Sequence, residues 1–162
     1  MKQHVVGVAD SHVSNDPNGR IATYSLGSCI GLAIYDPVAK VGGLLHFMLP
    51  ESSIDPDKAR ETPSMFADSG VPHLFKSAYK LGLEKKRTKV VVVGGAQILD
   101  ESGVFNIGKR NYTALRKIFW KNNVLIDVEE VGGSVSRTLF LEIGTGKIWM
   151  KAPGGVVKDL TT

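Results

Sequence analysis

The feature that most constrains the fold of this chain is a proline turn between two short apolar runs. The turn is Asp36-Pro37-Val38-Ala39-Lys40, which separates an apolar run over residues 29–35 from another over residues 41–49. Proline presets φ at the second position of a turn, and apolar runs this short are typical of strands. The pattern predicts an antiparallel hairpin whose strands run from Cys29 to Tyr35 and from Val41 to Leu49.

The rest of the chain combines further strands with two helices. Val71, Leu74, Phe75 and Ala78 form the apolar stripe of one helix, and a second helix is predicted over residues 109–122. Single strands are predicted at 20–24, 90–93 and 124–131, a long polar loop at 51–63, and a second hairpin from 137–143 to 147–151. Two antiparallel hairpins and two main helices predict an α+β fold, with the helices packed on mixed or antiparallel sheet.

Length and composition indicate one globular domain over residues 1–162. The chain is 43% hydrophobic and 22% charged, and a domain of this size buries a core without disulfides or a structural metal. Its single cysteine excludes an internal disulfide and cysteine-rich zinc or iron–sulfur sites. No window approaches the roughly 18 apolar residues of a membrane span, and the N-terminus becomes polar too soon for a signal peptide. We therefore expect a cytoplasmic protein with no membrane insertion.

The charge balance is mildly basic, with 20 Lys and Arg against 16 Asp and Glu. The densest basic run is Lys85-Lys86-Arg87-Thr88-Lys89, which has no interleaved aromatic residues. This pattern predicts a solvated turn and no nucleic-acid partner. A net charge of +4 suits an acidic partner surface.

The single cysteine can be placed beside a histidine by counting along the predicted hairpin. If Asp36 pairs with Ala39, counting back along both strands places Cys29 directly opposite His46. Directly opposed residues have Cβ atoms about 4.5–5.5 Å apart, whereas a slip of one residue would put the two side chains on opposite faces. Of the four histidines, only His46 can be placed near Cys29 in this way.

A cysteine beside a histidine suits thiol nucleophile chemistry. The thiolate is the attacking form, and an adjacent imidazole can accept its proton and later return it to a leaving amine. A third group normally orients the imidazole, and Thr23 is close enough in sequence for that role. Backbone N–H groups near Gly27 and Ser28 are the candidate donors to an oxyanion.

Other interpretations of these residues remain open at this point. A lone cysteine is often inert packing in a core, and a histidine within an apolar strand is often a core residue. A cysteine peptidase also fits the pair, although Thr23 in place of an asparagine or acidic residue argues mildly against it. Residues 90–95 lead into two glycines but lack the spacing of a phosphate-binding loop.

Several segments together resemble the CheD family, the chemoreceptor glutamine deamidases of bacterial chemotaxis. They span roughly residues 5 to 150, and the most specific block runs from Thr23 to Pro50. The matching segments are Thr23 to Cys29, Asp36 to Gly43, Leu45 to Pro50, Phe66 to Asp68, Val71-Pro72, Gly94 to Ala96, Asn106 to Asn111, and Val131 to Gly133 with Arg137.

The resemblance implies a protein-glutamine deamidase that needs no cofactor or metal. The family's catalytic cysteine, histidine and threonine correspond to Cys29, His46 and Thr23. Its fold is a layered α/β/β sandwich, similar to the catalytic domain of cytotoxic necrotizing factor toxins. Its substrates are glutamines of methyl-accepting chemotaxis receptors, and its usual partner is the CheC phosphatase. The alternative function is a non-catalytic adaptor that binds receptor or phosphatase during chemotactic adaptation.

Overall fold

The computed structural model describes residues 1–97 and 106–161, which form two five-stranded sheets and a layer of helices. The strands are β1 (Lys2–Val5), β2 (Asp10–Ser14), β3 (Gly19–Leu26), β4 (Ile30–Asp36), β5 (Val41–Phe47), β6 (Lys89–Gly94), β7 (Val128–Val131), β8 (Arg137–Glu142), β9 (Ile148–Ala152) and β10 (Val156–Asp159). The helices are α1 (Pro56–Glu61), α2 (Ala67–Tyr79) and α3 (Ile107–Lys121), with short 3₁₀ turns at Ser52–Ile54, Pro63–Met65 and Lys85–Arg87.

Both sheets are mixed, which is one of the two arrangements that the sequence predicts. The outer sheet has the strand order β1-β3-β8-β9-β10, and the central sheet has the order β2-β5-β4-β6-β7. Each contains one parallel pair, β1 with β3 and β6 with β7, and its other pairs are antiparallel.

The three inner strands of the central sheet, β5, β4 and β6, are apolar on both faces because they are covered on both sides. On β4, Leu32 and Ile34 pack against α2 and α3, whereas Ala33 and Tyr35 face the outer sheet. A strand buried on both faces loses the polar alternation of an exposed sheet, which explains the near-continuous apolar runs in the sequence. The layers are therefore helices, central sheet and outer sheet, and the predicted α/β/β sandwich is confirmed.

The hairpin of β4 and β5 forms, but the predicted pairing is wrong by two residues. Asp36 pairs with Val41 instead of Ala39, so the loop has four residues and ends at Lys40, whose φ is 54°. The carboxylate of Asp36 explains the longer loop, because it accepts hydrogen bonds from the N–H groups of Val38 and Ala39 at 2.9 and 3.2 Å. A shift of two residues preserves the face of every side chain.

Asp36 also ties the hairpin to the segment that follows α2. Its buried carboxylate accepts from the Glu84 N–H at 2.9 Å and from the Arg87 guanidinium, with Nη2 at 2.7 Å. The prediction that residues 85–89 form only a solvated turn is therefore wrong at Arg87, whose side chain is 28% exposed and paired with Asp36. Burial alone would raise the pKa of Asp36, but these hydrogen bonds outweigh it and lower that pKa to about 2.

Other segments differ from the predictions in position or length. The predicted loop over 51–63 contains α1, which begins after Asp55 with that carboxylate accepting from the Lys58 N–H at 3.1 Å. The strand predicted over 124–131 is shortened to β7. Three edge strands, β1, β2 and β10, lack an apolar pattern and were not predicted.

The described residues contain no helix that is long and apolar enough to cross a membrane.

We expect Asp36→Asn to lower the free energy of unfolding by about 2–3 kcal/mol at pH 7, because it removes the buried carboxylate that pairs with the Arg87 guanidinium. The pKa of Asp36 is depressed, so its contribution is complete above about pH 4 and is lost as the pH falls toward about 2. Urea denaturation of both proteins from pH 7 to pH 2 measures the difference, which should shrink toward zero at the acid end. The matched control is Asp57→Asn, which removes an exposed ion pair with Arg60 and should cost less than about 0.5 kcal/mol.

Candidate active site

His46 lies in the interface between the two sheets. It belongs to β5, and its side chain points toward the outer sheet with only 1% of the residue exposed. Its Nδ1 lies 2.7 Å from the hydroxyl oxygen of Thr23, which projects from β3 of the outer sheet. A single hydrogen bond therefore joins the two sheets at the imidazole.

The hydrogen bonds of Thr23 determine the tautomer of His46. The Thr23 hydroxyl has one proton, which it donates to the carbonyl oxygen of Val6 at 2.7 Å. Toward His46 the hydroxyl can then only accept, so Nδ1 carries the imidazole proton and Nε2 has a free lone pair. The buried Nε2 has no hydrogen-bond partner among residues 1–97 and 106–161. This is the form that can accept a proton from a thiol.

Cys29 lies immediately before β4, on the same face of the central sheet as His46. The prediction that the two residues are directly opposed is wrong, because His46 pairs with Gly31. Cys29 is two residues from Gly31 and is therefore a diagonal neighbour of His46, a relation in which the Cα atoms are typically about 7–8 Å apart. Gly31 places no side chain between them. The thiol is half-buried and packs against the core between the sheets.

Burial keeps both groups neutral in the free protein. It lowers the pKa of His46 to about 4, because the imidazolium would lose its hydration. Burial also raises the pKa of the Cys29 thiol, and contact with its own backbone N–H offsets only part of this rise. At neutral pH the site thus holds a thiol and an unprotonated imidazole.

All three carbonyl groups of residues 27–29 accept hydrogen bonds, two from the chain at the end of β6 and one from α3. The Gly27 oxygen accepts from the Ala96 N–H at 2.8 Å, and the Cys29 oxygen accepts from the Gly95 N–H at 2.9 Å. The Ser28 oxygen accepts from the side-chain amide of Asn111 at 3.0 Å. In the described part of the chain, no backbone carbonyl accepts from the N–H groups of Ser28 and Cys29. In a trans peptide the N–H points away from the carbonyl, so the Ser28 N–H points away from the loop after β6 and the Cys29 N–H points away from Asn111.

The glycine pair Gly94-Gly95, at the end of β6, explains how the chain approaches Cys29 so closely. Gly94 has a φ of 112°, and a Cβ there would lie 2.3 Å from the Cys29 carbonyl oxygen. The carbonyl of Gly94 in turn accepts from the buried guanidinium of Arg137 at 3.2 Å. Sequence reasoning treated this pair as a weak phosphate-loop signal and missed its contact with Cys29. Of residues 25–28, Ser25 rather than Gly27 has a positive φ, 56°, inside an irregular stretch of β3.

The remaining histidines lie apart from this cluster. His4 and His12 stack with ring centroids 3.7 Å apart, and His73 is exposed on α2. Within the described ranges, no three His, Cys, Asp or Glu side chains lie close enough to hold a metal ion. A surface cavity of about 990 Å³ lies at the turn end of the hairpin, and none of the predicted site residues lines it.

Comparison with known proteins places the chain in a family. The family model described as CheD chemotactic sensory transduction matches residues 48–152. A protein of Syntrophus aciditrophicus (strain SB), named probable chemoreceptor glutamine deamidase CheD 1, is 54% identical over 96% of this chain and 98% of its own length. The chain belongs to the CheD family. Its resemblance to that family, noted from the sequence, is confirmed.

Other CheD relatives are aligned over almost their whole length. A probable chemoreceptor glutamine deamidase CheD of Solibacter usitatus (strain Ellin6076) is 53% identical over 95% of this chain and 91% of its own. A probable chemoreceptor glutamine deamidase CheD of Pyrococcus horikoshii is 39% identical over 93% of this chain and 93% of its own length. A solved structure, Neisseria meningitidis protein NMB0706 of family model DUF152, superposes with a TM-score of 0.48 and 7% identity, over 83% of this chain and 63% of its own.

For this CheD-family chain we expect slow alkylation of Cys29 at neutral pH. Burial raises its pKa, and His46 is unprotonated above about pH 4, so no imidazolium stabilises a thiolate. The rate of reaction with iodoacetamide should rise with pH and reach half its maximum above the ordinary cysteine value of about 8.5. The urea-unfolded chain, whose single cysteine titrates normally, is the control. A fast plateau extending below pH 7 in the folded protein would contradict this expectation.

The tautomer of His46 should depend on the Thr23 hydroxyl. Long-range ¹H–¹⁵N NMR at pH 7 should show His46 protonated at Nδ1 in the original protein and in Thr23→Ser, which keeps the hydroxyl. Thr23→Val has the same shape but no acceptor, so the Nδ1 proton loses its partner and the Nε2–H tautomer should become populated. An unchanged spectrum in Thr23→Val would show that another group holds the ring.

Proposed function

We propose that this chain is a protein-glutamine deamidase that uses Cys29 as its nucleophile. The observation that carries the proposal is the neutral imidazole of His46, whose Nε2 is buried, free and on the same face as the thiol. The names of the relatives supply the substrate class, because each is described as a probable chemoreceptor glutamine deamidase. The substrate is therefore a glutamine side chain of a chemotaxis receptor.

In the first half of the reaction, the Cys29 sulfur attacks the carboxamide carbon of the glutamine. His46 Nε2 accepts the thiol proton as the C–S bond forms. In the free protein, transfer of this proton is uphill, because burial opposes both the thiolate and the imidazolium. Proton transfer therefore accompanies the attack instead of preceding it. The N–H groups of Ser28 and Cys29 donate to the oxyanion of the tetrahedral intermediate.

The imidazolium then supports departure of the amine. It returns its proton to the nitrogen, ammonia leaves, and a thioester joins Cys29 to the former glutamine. Thr23 keeps Nδ1–H bonded throughout, so Nε2 remains the atom that exchanges protons. Water attacks the thioester with His46 again as base, which releases glutamate and restores the thiol.

Thr23 orients the imidazole but adds little stabilisation to its charged form. A hydroxyl is a neutral acceptor, whereas a carboxylate would favour the imidazolium electrostatically. This agrees with the low pKa of His46. An imidazolium that forms only briefly and loses its proton readily is suited to protonating a poor leaving group such as an amine.

The receptor, a CheC-type phosphatase partner and a cytoplasmic location belong to the same proposal. Membership of the CheD family supports the receptor and the phosphatase partner, and a single free cysteine supports a reducing compartment such as the cytoplasm. The mechanism itself requires no metal or organic cofactor, because a thiol, an imidazole and backbone donors complete every step.

Cys29→Ala and His46→Ala should each lower the deamidation rate by at least about 1,000-fold, because nucleophile and base act as one unit. The assay incubates the purified chain with the cytoplasmic part of a receptor from its own organism. It measures ammonia release and the one-dalton mass gain of each modified glutamine. His73→Ala, which changes an exposed histidine on α2, is the matched control and should retain full activity.

Activity that survives either substitution overturns the assignment of Cys29 and His46. A receptor that remains unmodified by the original protein, yet binds it, would favour the non-catalytic adaptor.

A further inference from the structure

Asn111 is a buried polar residue of α3 that contacts both segments of the site. It is fully buried, and its side-chain nitrogen donates to the carbonyl oxygens of Ser28 and Met48, each at 3.0 Å. Ser28 precedes the proposed nucleophile, and Met48 lies two residues after the proposed base. One amide group thus bonds to the backbone on both sides of the reacting pair.

These two bonds lie where the pairing of β4 and β5 ends. The last paired residues are Ile30 and Phe47, so the next pair in register would be Cys29 and Met48. The Asn111 amide uses its two N–H groups to bridge carbonyls from both strands at that position. It therefore determines how the strands separate at the open end of the hairpin.

The close approach of α3 makes this contact possible. A Cβ at Gly108 would lie 2.5 Å from the Ala96 carbonyl oxygen, so the first turn of the helix packs directly on the loop after β6. Gly108 and Asn111 are three residues apart and share one helix face. That face meets the loop that anchors Gly27 and, beside it, the Ser28 carbonyl.

A peptide unit is planar, so holding its carbonyl also aims its N–H. The Ser28 carbonyl and the Cys29 N–H belong to one trans peptide and point in opposite directions. Because Asn111 holds this carbonyl, the Cys29 N–H faces away from α3, on the side of its own thiol. Without that bond the peptide could rotate, and the carbonyl would then replace the N–H beside the reacting carbon.

The contribution of Asn111 to stability is reduced by its own oxygen. Asn111 Oδ1 is buried and has no hydrogen-bond partner in residues 1–97 and 106–161. An unpaired buried acceptor costs free energy that offsets part of what the two donated bonds contribute. The presence of a buried asparagine at position 111 is therefore explained better by the orientation that it imposes on the Ser28–Cys29 peptide than by its contribution to stability alone.

We propose that Asn111 is a positioning residue that locks the Ser28–Cys29 peptide with its N–H directed at the oxyanion. This inference rests on the proposed thiol mechanism and adds to it a side chain that touches neither substrate nor nucleophile. The N–H held in this orientation stabilises the transition state, in which the oxyanion develops, and does not change the affinity for the glutamine.

The test compares Asn111→Ala and Asn111→Asp with the original chain in two assays. Asp keeps the size of the side chain but at neutral pH has no N–H to donate to either carbonyl. In steady-state deamidation of the receptor fragment, kcat should fall about 100–1,000-fold with KM within about threefold. Alkylation of Cys29 by iodoacetamide develops no oxyanion, so its rate at each pH should stay within about threefold.

The outcomes separate this inference from the proposed function. Asn122→Ala, an exposed position at the other end of α3, is the matched control and should change neither assay. A kcat within fivefold of the original in either folded variant overturns the positioning role. So does a parallel fall in deamidation and alkylation, or loss of the fold in both variants, because each indicates a purely structural role. Absence of deamidation by the original chain overturns the proposed function itself, and this inference with it.

Discussion

The geometry of the site depends on the register of one antiparallel pair, β4 with β5. That pair places His46 opposite Gly31 and puts Cys29 one diagonal step away on the same face. Side chains alternate between faces with a period of two, so a slip of one residue would move His46 into the helix-facing core. Everything proposed for the thiol and the imidazole requires that this slip does not occur.

Two buried polar side chains hold the register from opposite ends of the hairpin. At the closed end, Asp36 caps the loop and binds Arg87, which also attaches the hairpin to the segment after α2. At the open end, Asn111 bridges the backbone of both strands where their own pairing stops. The strands between them are apolar on both faces, apart from His46 and the Tyr35 hydroxyl, which donates to the Ile143 carbonyl oxygen at 2.7 Å.

Burial between two sheets also defines the chemistry of the site. It disfavours both charged partners, so the resting pair is a thiol and an imidazole with a free Nε2. The Thr23 hydroxyl reaches the ring from the other sheet and determines which nitrogen is free, because its own proton is donated to Val6. The two sheets must therefore be packed together before His46 has a defined tautomer.

The sequence alone determined the hairpin, the main helices, the α+β class and the shared face of Cys29 and His46, because each follows from local periodicity and turn chemistry. The layered α/β/β arrangement came from the resemblance to the CheD family. The sequence missed the four-residue loop, since the choice between two loop lengths depends on Asp36 capping and on the positive φ of Lys40. It also missed β1, β2 and β10, which are strands only because a neighbour pairs with them. Only the tertiary structure decided the tautomer of His46 and the direction of the Cys29 N–H. Both depend on hydrogen bonds between residues distant in the chain, Thr23 with His46 and Asn111 with Ser28, and such contacts leave no periodic signal in a single sequence.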